Sequence, residues 1–250
     1  MTIKGGWGKA RVGDINAYFK ARCADQIFNI PENEGNKIPR LNSNYADVEI
    51  EGQYDLGQHL SLGLAVGIPI IKSDQAIWYF GSGSEIQSIE MKARSTVYLP
   101  VRLNLYYKLQ VSPKIELFVG GGLGIYPASM TYSYLGRVDV NSHLPLGLHA
   151  GGGVKINLNN RISLVLDGEY RLARITNFKG QKVIGNIVYK GTLWYFKVRY
   201  LGSDIWWDDL EIAEEAPQED PFGERFYKDQ RRAILDLSGF SIRAGLSFRI

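Results

Sequence analysis

Residues 237–250 read LSGFSIRAGLSFRI, and their side chains alternate between apolar and polar. Successive side chains of a β-strand point to opposite faces. One face would carry Phe240, Ile242, Ala244, Leu246, Phe248 and Ile250, and the other Ser241, Arg243, Gly245, Ser247 and Arg249. An apolar face opposite a charged face predicts a strand with lipid on one side and a polar interior on the other, as in a membrane β-barrel.

The same alternation recurs along the chain. The predicted strands are 7–19, 46–56, 60–70, 97–107, 115–125, 144–158, 162–172 and 237–250, and the first is weak because its alternation slips near Gly13, which indicates a bulge. Connections 57–59, 109–113 and 159–161 are short, whereas 20–45, 73–92, 128–142 and 177–236 are long. This pattern predicts an all-β fold, an eight-stranded antiparallel transmembrane β-barrel with up-and-down topology and long external loops. We expect residues 1–250 to form one domain.

Composition agrees with this class. The chain is 45% hydrophobic with a mean hydropathy of −0.16, and no run of about eighteen uncharged apolar residues predicts a transmembrane helix. The net charge of +3 is dispersed, which argues against nucleic acid as a partner. One cysteine, Cys23, excludes an intramolecular disulfide and a cysteine-based zinc site. A barrel must be exported, so we expect a bacterial outer-membrane location with the signal peptide removed.

Segment 177–236 leaves the strand count open. Residues 193–200 and 205–212 have strand character, and a barrel of ten strands would include both. Asp208, Asp209 and Glu211 argue against this alternative, because either face of the second strand would carry acid. We therefore expect a large external loop insertion with an ordered β extension at 182–200, a mobile stretch at 214–224 and a short helix at 224–235. Its aromatic content argues against full disorder.

The polar face of the predicted strands carries both signs of charge. The predicted polar network of the lumen comprises Glu49, Glu51, Arg102, Asp167, Glu169, Arg171 and Arg243. An eight-stranded barrel has an interior just wide enough for side chains, and charges buried there must pair or cost several kcal/mol each. The sequence therefore predicts a salt-bridged plug; a lumen that transiently passes small solutes is the alternative.

Other polar patterns could indicate chemistry, but each has a simpler explanation. His59 and Ser61 share a strand face, as in some barrel hydrolases, yet His59 falls at a predicted turn. His149 is expected to be a hydrogen-bonding residue of the lumen, and His143 lies too far along the strand to share a metal with it. The glycines at 120–124 lie within a predicted strand, whereas a nucleotide loop must open a helix.

Acidic residues in the long insertion could bind Ca²⁺. They are Asp208, Asp209, Glu211, Glu214, Glu215, Glu219 and Asp220. They lack the spacing of an EF-hand, so a solvated loop is the simpler interpretation. Trp194, Trp206 and Trp207 fit either a membrane-interface girdle or an exposed binding patch. The sequence therefore predicts no catalytic residue, no metal site and no cofactor.

Two segments carry a resemblance to a known group. Residues 168–180 (GEYRLARITNFKG) and 235–250 (LDLSGFSIRAGLSFRI) resemble the closing hairpin of bacterial outer-membrane barrels of the OmpW and OmpA-like small porin group. Members commonly have a Tyr-Arg strand, a loop that opens near Lys-Gly and a last strand that ends in an aromatic residue. The resemblance implies a small barrel, and the roles known in the group range from small-molecule passage to adhesion and envelope anchoring.

Three functions are consistent with these patterns. The first is a non-enzymatic, porin-like protein that passes or binds small solutes or hydrophobic molecules. The second is a structural or interaction barrel that displays 177–236 to a protein partner or surface. The third, a soluble lipocalin-like binder, is disfavoured because it would place the aliphatic faces inside and the charged faces in water. The expected surroundings are the lipid bilayer and lipopolysaccharide.

Overall fold

The computed structural model describes residues 1–24, 41, 43–71, 74–80, 87–97, 99–133, 136–142, 145–218 and 224–249. Its elements in chain order are β1 (Thr2–Ala10), α1 (Asp14–Ala24), β2 (Asn44–Asp55), β3 (Leu60–Ile71), β4 (Asp74–Phe80), β5 (Gln87–Val97), β6 (Val101–Ser112), β7 (Ile115–Ile125), β8 (Ala128–Ser133), β9 (Arg137–Asn141), β10 (Leu146–Asn157), β11 (Ile162–Leu172), β12 (Arg174–Ile175), β13 (Lys179–Ile184), β14 (Ile187–Tyr200), β15 (Trp207–Ala213), β16 (Arg225–Arg232), β17 (Leu235–Asp236) and β18 (Gly239–Phe248).

Eight of these strands close into an antiparallel barrel. The order around the wall is β1-β18-β11-β10-β7-β6-β3-β2. Wall strands that follow one another in the chain are therefore neighbours in the barrel, although the long connections place other strands between some of them in the sequence. The first and last strands complete the closure, in a register that runs from Thr2 opposite Ser247 to Ala10 opposite Gly239. The prediction of an eight-stranded up-and-down barrel is confirmed. The ten-stranded alternative is wrong, because β14 and β15 lie in a separate sheet.

Strand alternation divides the wall into an apolar outer face and a polar inner face. The outward-facing residues include Leu62, Leu64, Leu103, Leu117, Leu148, Leu164 and Leu246, all exposed, with Phe248 half-buried beside them. Trp7, Tyr170 and Phe240 are exposed toward the end with the long connections, and Tyr54 and Tyr107 toward the end with short turns. Two aromatic groups that border an aliphatic band are typical of a barrel in a bilayer. Within the described residues, no helix is long and apolar enough to cross a membrane.

The predicted first strand, 7–19, is wrong in its position. The strand β1 starts at Thr2 and ends at Ala10, after which Val12 and Gly13 adopt φ of 20° and 86° and turn the chain into α1. Asp14 opens this helix, where a negative charge is favoured by the helix dipole. Its carboxylate accepts hydrogen bonds from Arg231 at 2.5 and 2.7 Å and from the Ile234 amide at 2.8 Å. Residues 11–19 therefore contact the distant segment 231–234 and leave the wall.

The long connections form a second sheet at one end of the barrel. Its order is β15-β14-β13-β9-β8-β5-β4, and β16 also pairs with β14. Strands β13 and β14 confirm the predicted β extension at 182–200. The predicted helix at 224–235 is wrong, because β16 occupies Arg225–Arg232 and supplies hydrogen-bond partners to β14 beyond the end of β13. Residues 219–223 of the predicted mobile stretch lie outside the described residues.

A hydrophobic core joins this outer sheet to α1 and the top of the barrel. We call this core the cap. Its buried residues are Val12, Ile15, Tyr18, Leu41, Tyr126, Ala128, Met130, Tyr132, Val138, Val140, Ala173, Ile175, Phe178, Leu193, Tyr195, Leu210, Ile212, Ala233, Leu235 and Leu237. Most of them come from connections that looked like loops in the sequence. The cap lies over the long-connection end of the lumen, directly above the charged interior.

Candidate functional site: the lumen network and the outer sheet

Arg243 lies at the centre of the charged interior. It is on β18, opposite Asp167 of β11, and its Nε donates a hydrogen bond of 2.8 Å to the Asp167 carboxylate. Its two terminal nitrogens donate to Glu169 at 2.8 Å and to Glu49 at 3.2 Å. Arg243 thus joins its neighbour β11 to β2, which lies beyond β1. The side chain is 4% exposed, so these bonds replace solvation that burial has removed.

Two further cations complete the network. Arg102 on β6 donates to Glu169 at 2.6 Å and also contacts Glu49. Lys4 on β1 lies 2.9 Å from both Glu49 and Asp167 and 3.2 Å from Glu51. The sequence interpretation missed Lys4, because the first strand was expected to begin at Trp7. The signal was nevertheless there: polar Thr2 and Lys4 alternate with Ile3, Gly5 and Trp7.

Glu51 is fully buried and has the most neutral partners of any acid in the network. Asn104 Nδ2 donates to it at 2.6 Å, the Tyr106 hydroxyl at 2.8 Å and Gln53 at 3.2 Å. His149 Nε2 lies 2.6 Å from Asn104 Oδ1, which extends the chain of polar contacts across the lumen. A Cβ at Gly63 would collide with the Glu51 carboxylate, so the wall glycine leaves room for this side chain.

Arg171 has a different environment from the one expected. It donates hydrogen bonds to the Tyr45 hydroxyl at 2.9 Å and to the Leu237 carbonyl at 3.2 Å. Its guanidinium lies 5.2 Å from the Tyr45 ring centre and 5.3 Å from that of Tyr126. Cation–π contacts of this kind stabilise a desolvated arginine. Arg171 therefore forms the layer between the ion-pair network and the cap.

The structure brings all seven predicted lumen residues into one buried assembly. Among the described residues it contains four cations and five carboxylates: Lys4, Arg102, Arg171, Arg243, Asp47, Glu49, Glu51, Asp167 and Glu169. The charges come from five of the wall strands and neutralise one another almost fully. This arrangement fills the cross-section of the closed barrel with side chains.

The remaining sequence candidates are dispersed. Ser61 is buried on the lumen side, whereas His59 is exposed, donates a hydrogen bond from Nδ1 to the Lys108 carbonyl and stacks on Tyr107. The glycines at 120–124 lie within the wall strand β7. Asp208, Asp209 and Glu211 lie on β15. His143, Glu219 and Asp220 lie outside the described residues.

Aromatic and cationic side chains cluster at the far end of the outer sheet. We call this cluster, comprising Arg199, Tyr200, Trp206, Arg225, Phe226 and Lys228, the cation–aromatic patch. The Arg199 guanidinium lies 4.9 Å from the Phe226 ring centre and 5.3 Å from that of Trp206. Lys228 Nζ lies 4.0 Å from the Trp206 ring centre, and Arg225 lies over Tyr200 at 5.8 Å. Trp206 directly precedes β15 and therefore lies outside the wall strands.

Tyr195 gives the cap a titratable group outside the barrel wall. Burial, together with the hydrogen bond and the charge of Asp208, raises the pKa of Tyr195 above its ordinary value. Its contribution to stability should be complete below about pH 10 and lost as the pH rises through the folded-state pKa. The tyrosinate absorbance that the wild type shows and Tyr195→Phe lacks should therefore appear only at a pH above the range in which an ordinary tyrosine ionises. A midpoint within the ordinary tyrosine range would contradict the prediction.

Comparison with known proteins agrees with this architecture. A search of curated proteins finds no match to the chain. The family model described as outer membrane protein beta-barrel domain matches residues 4–201, a span that starts in β1 and ends just after β14. The match covers more than half of the chain and seven of the eight wall strands, and β18 supplies the eighth. The chain therefore belongs to the outer membrane beta-barrel domain family and is an outer-membrane barrel protein.

Proposed function

We propose that this protein is a non-enzymatic interaction barrel that displays the segment 177–236 to a protein partner outside the cell. The observation that carries the proposal is the cation–aromatic patch, which lies on the outer sheet and outside the barrel wall. Trp, Tyr and Arg are the residues most enriched among the hot spots of protein interfaces. Leu201 and Ile205 are exposed beside the patch and add apolar surface that a partner can cover.

The support beneath the patch is rigid. Strand β14 is paired with β15 on one side and with β13 and β16 on the other. Leu193 and Tyr195 on β14 are buried in the cap, and Phe196 packs edge-on against Tyr227 of β16. A surface that is ordered before binding loses less conformational entropy on association. The ordered support of the patch therefore favours a role in recognition over an insertion that has no binding function.

Solute passage, the other function predicted from the sequence, would need two rearrangements. The ion pairs of Lys4, Arg102 and Arg243 would have to separate. The cap would also have to move away from the long-connection end of the lumen. Breaking buried ion pairs costs several kcal/mol. Conductance in planar bilayers tests this alternative directly: ohmic channels in wild type that vanish with a cross-linked cap would support passage.

Shortening the outer sheet tests whether the wall folds without it. Ile175 and Leu235 are paired neighbours and Gly180 lies five residues beyond Ile175, so a Gly-Ser linker of about six residues can replace residues 181–234 without stretching the chain. We expect the barrel to fold and to retain heat-modifiable gel migration, because all eight wall strands remain. Failure to insert would show that the outer sheet is needed for folding of the wall.

Partner contact is tested by photo-crosslinking on intact cells. A photoreactive residue at Phe226, within the patch, should give a discrete cross-linked protein band. The matched control is a photoreactive residue at Tyr54, which faces lipid at the opposite end of the barrel. The band should disappear when Arg199→Ala and Trp206→Ala are combined. No band from Phe226, or a band unaffected by those substitutions, would overturn the proposal.

A further inference from the structure

The short-turn end of the barrel opens into a vestibule of about 660 Å³. The lumen network closes it from above. Short turns of outer-membrane barrels lie on the periplasmic side, so the vestibule opens toward the periplasm. Its volume falls within the range of about 300–1,000 Å³ typical of small-molecule sites. The cation–aromatic patch lies at the opposite end of the molecule, so the vestibule is independent of the proposed function.

The vestibule has an excess of positive charge. Five cationic side chains line it: Lys108, Lys114, Lys155, Arg161 and Arg249. The carboxylates in its lining are Asp55 and Glu116. A concave surface of one sign with low-dielectric walls concentrates its field and attracts ligands of opposite charge. The cavity is therefore suited to an anion.

Both carboxylates are already opposed by lysines. Lys108 Nζ lies 2.6 Å from Asp55, and Lys155 on β10 lies opposite Glu116 on β7. The other three cations, Lys114, Arg161 and Arg249, make no ion pair within 4 Å among the residues that the structure describes. Lys114 and Arg161 are in the turns that follow β6 and β10, and Arg249 follows β18. Three cations without acidic partners thus surround one opening.

We propose that this vestibule binds a small polar molecule that carries two or more anionic groups, carboxylate or phosphate, taken up from the periplasm. Arginine presents a planar fork of donors that matches both groups, and lysine adds a point charge. Three cations on separate turns can contact separate anionic groups of one ligand. A neutral sugar of similar size would gain none of these charge-assisted hydrogen bonds.

The test is isothermal titration of the detergent-folded protein at low ionic strength. The probes are citrate for carboxylates and tripolyphosphate for phosphates, with sucrose as the neutral control. We expect at least one anionic probe to bind and sucrose not to bind, and the stronger probe identifies the preferred group. Binding of neither anion would overturn the proposal.

A matched pair of variants separates a built site from general charge. Lys114→Gln, Arg161→Gln and Arg249→Gln combined should weaken binding at least about tenfold, because charge-assisted hydrogen bonds are lost. Lys179→Gln, Lys190→Gln and Arg137→Gln remove the same charge from the outer sheet and should change affinity less than about twofold, since those charges are distant and screened. Equal weakening by both triple variants would overturn the proposal.

Folding of each variant is checked by heat-modifiable gel migration before titration. The three vestibule positions lie outside the wall strands, which favours normal insertion. If the triple variant does not fold, Lys114→Gln alone provides the measurement and should weaken binding about threefold. An unchanged affinity in that single variant would then contradict the role of this cation.

Discussion

Arg243→Leu should lower the free energy of unfolding by about 3–5 kcal/mol, the usual result of removing one partner of a buried charge pair. Asp167, Glu169 and Glu49 would each lose a hydrogen bond from this guanidinium. All three carboxylates are buried, so water cannot replace the lost donor. Urea unfolding in lipid vesicles, followed by tryptophan fluorescence, measures the change.

Two controls separate charge burial from loss of an arginine. Arg137→Leu alters an exposed side chain on the outer sheet, whose ion pair with Asp139 is solvated, and should change stability far less than Arg243→Leu, because exposed ion pairs contribute little. Arg243→Leu combined with Asp167→Leu removes a cation and an anion together and should recover part of the loss. If Arg243→Leu alone has no more effect than Arg137→Leu, the interior is hydrated and the ion-pair network does not stabilise the wall.

Leu166→Arg should lower the free energy of unfolding by about 2–4 kcal/mol, the range measured for an arginine facing lipid near the bilayer midplane. Leu166 is exposed on the outer face of β11, near the middle of this strand. It lies opposite Ala244 on β18 and Val154 on β10. The guanidinium would have no polar partner within the apolar band, and the same vesicle-based unfolding measures the cost.

The matched control lies on the same side of the barrel but outside the apolar band. Leu158 is exposed in the short turn before β11, and Leu158→Arg should cost about 0–1 kcal/mol. Leu164, two positions nearer to this turn, should give an intermediate value. Equal effects at the three positions would contradict the depth assigned to β11 in the bilayer.

The periodicity of the sequence was sufficient to predict seven of the eight wall strands, whereas β1 was placed too late in the chain. Each strand must place alternate side chains in lipid and in the lumen, so the two-residue alternation is enough to indicate the fold class. The strand β7 was predicted at its observed bounds, 115–125, because a turn with Pro113 precedes it and the glycines maintain its alternation. The same argument placed Arg243, Asp167 and Glu169 on the inner face.

The local sequence pattern gave wrong predictions where the structure of a segment depends on contacts with residues far away in the chain. Residues 11–19 looked like an irregular strand, yet Asp14 pairs with Arg231, and Ile15 is buried in the cap. Residues 225–232 looked helical, but β14 offered an unpaired edge that only a strand can satisfy. In both cases the contacting segments are far apart in the chain, so the local periodicity of side chains does not indicate the contact.

The sequence by itself therefore determined an outer-membrane barrel with a charged lumen, because every strand must separately place apolar side chains in lipid and polar side chains in the lumen. Only the tertiary structure decided which charges meet: Lys4 contacts Glu49, and Arg171 contacts Tyr45 instead of an expected acid. It also decided that the long connections form a capped outer sheet. These features depend on register and on contacts between segments far apart in the chain, which side-chain alternation along one strand does not encode.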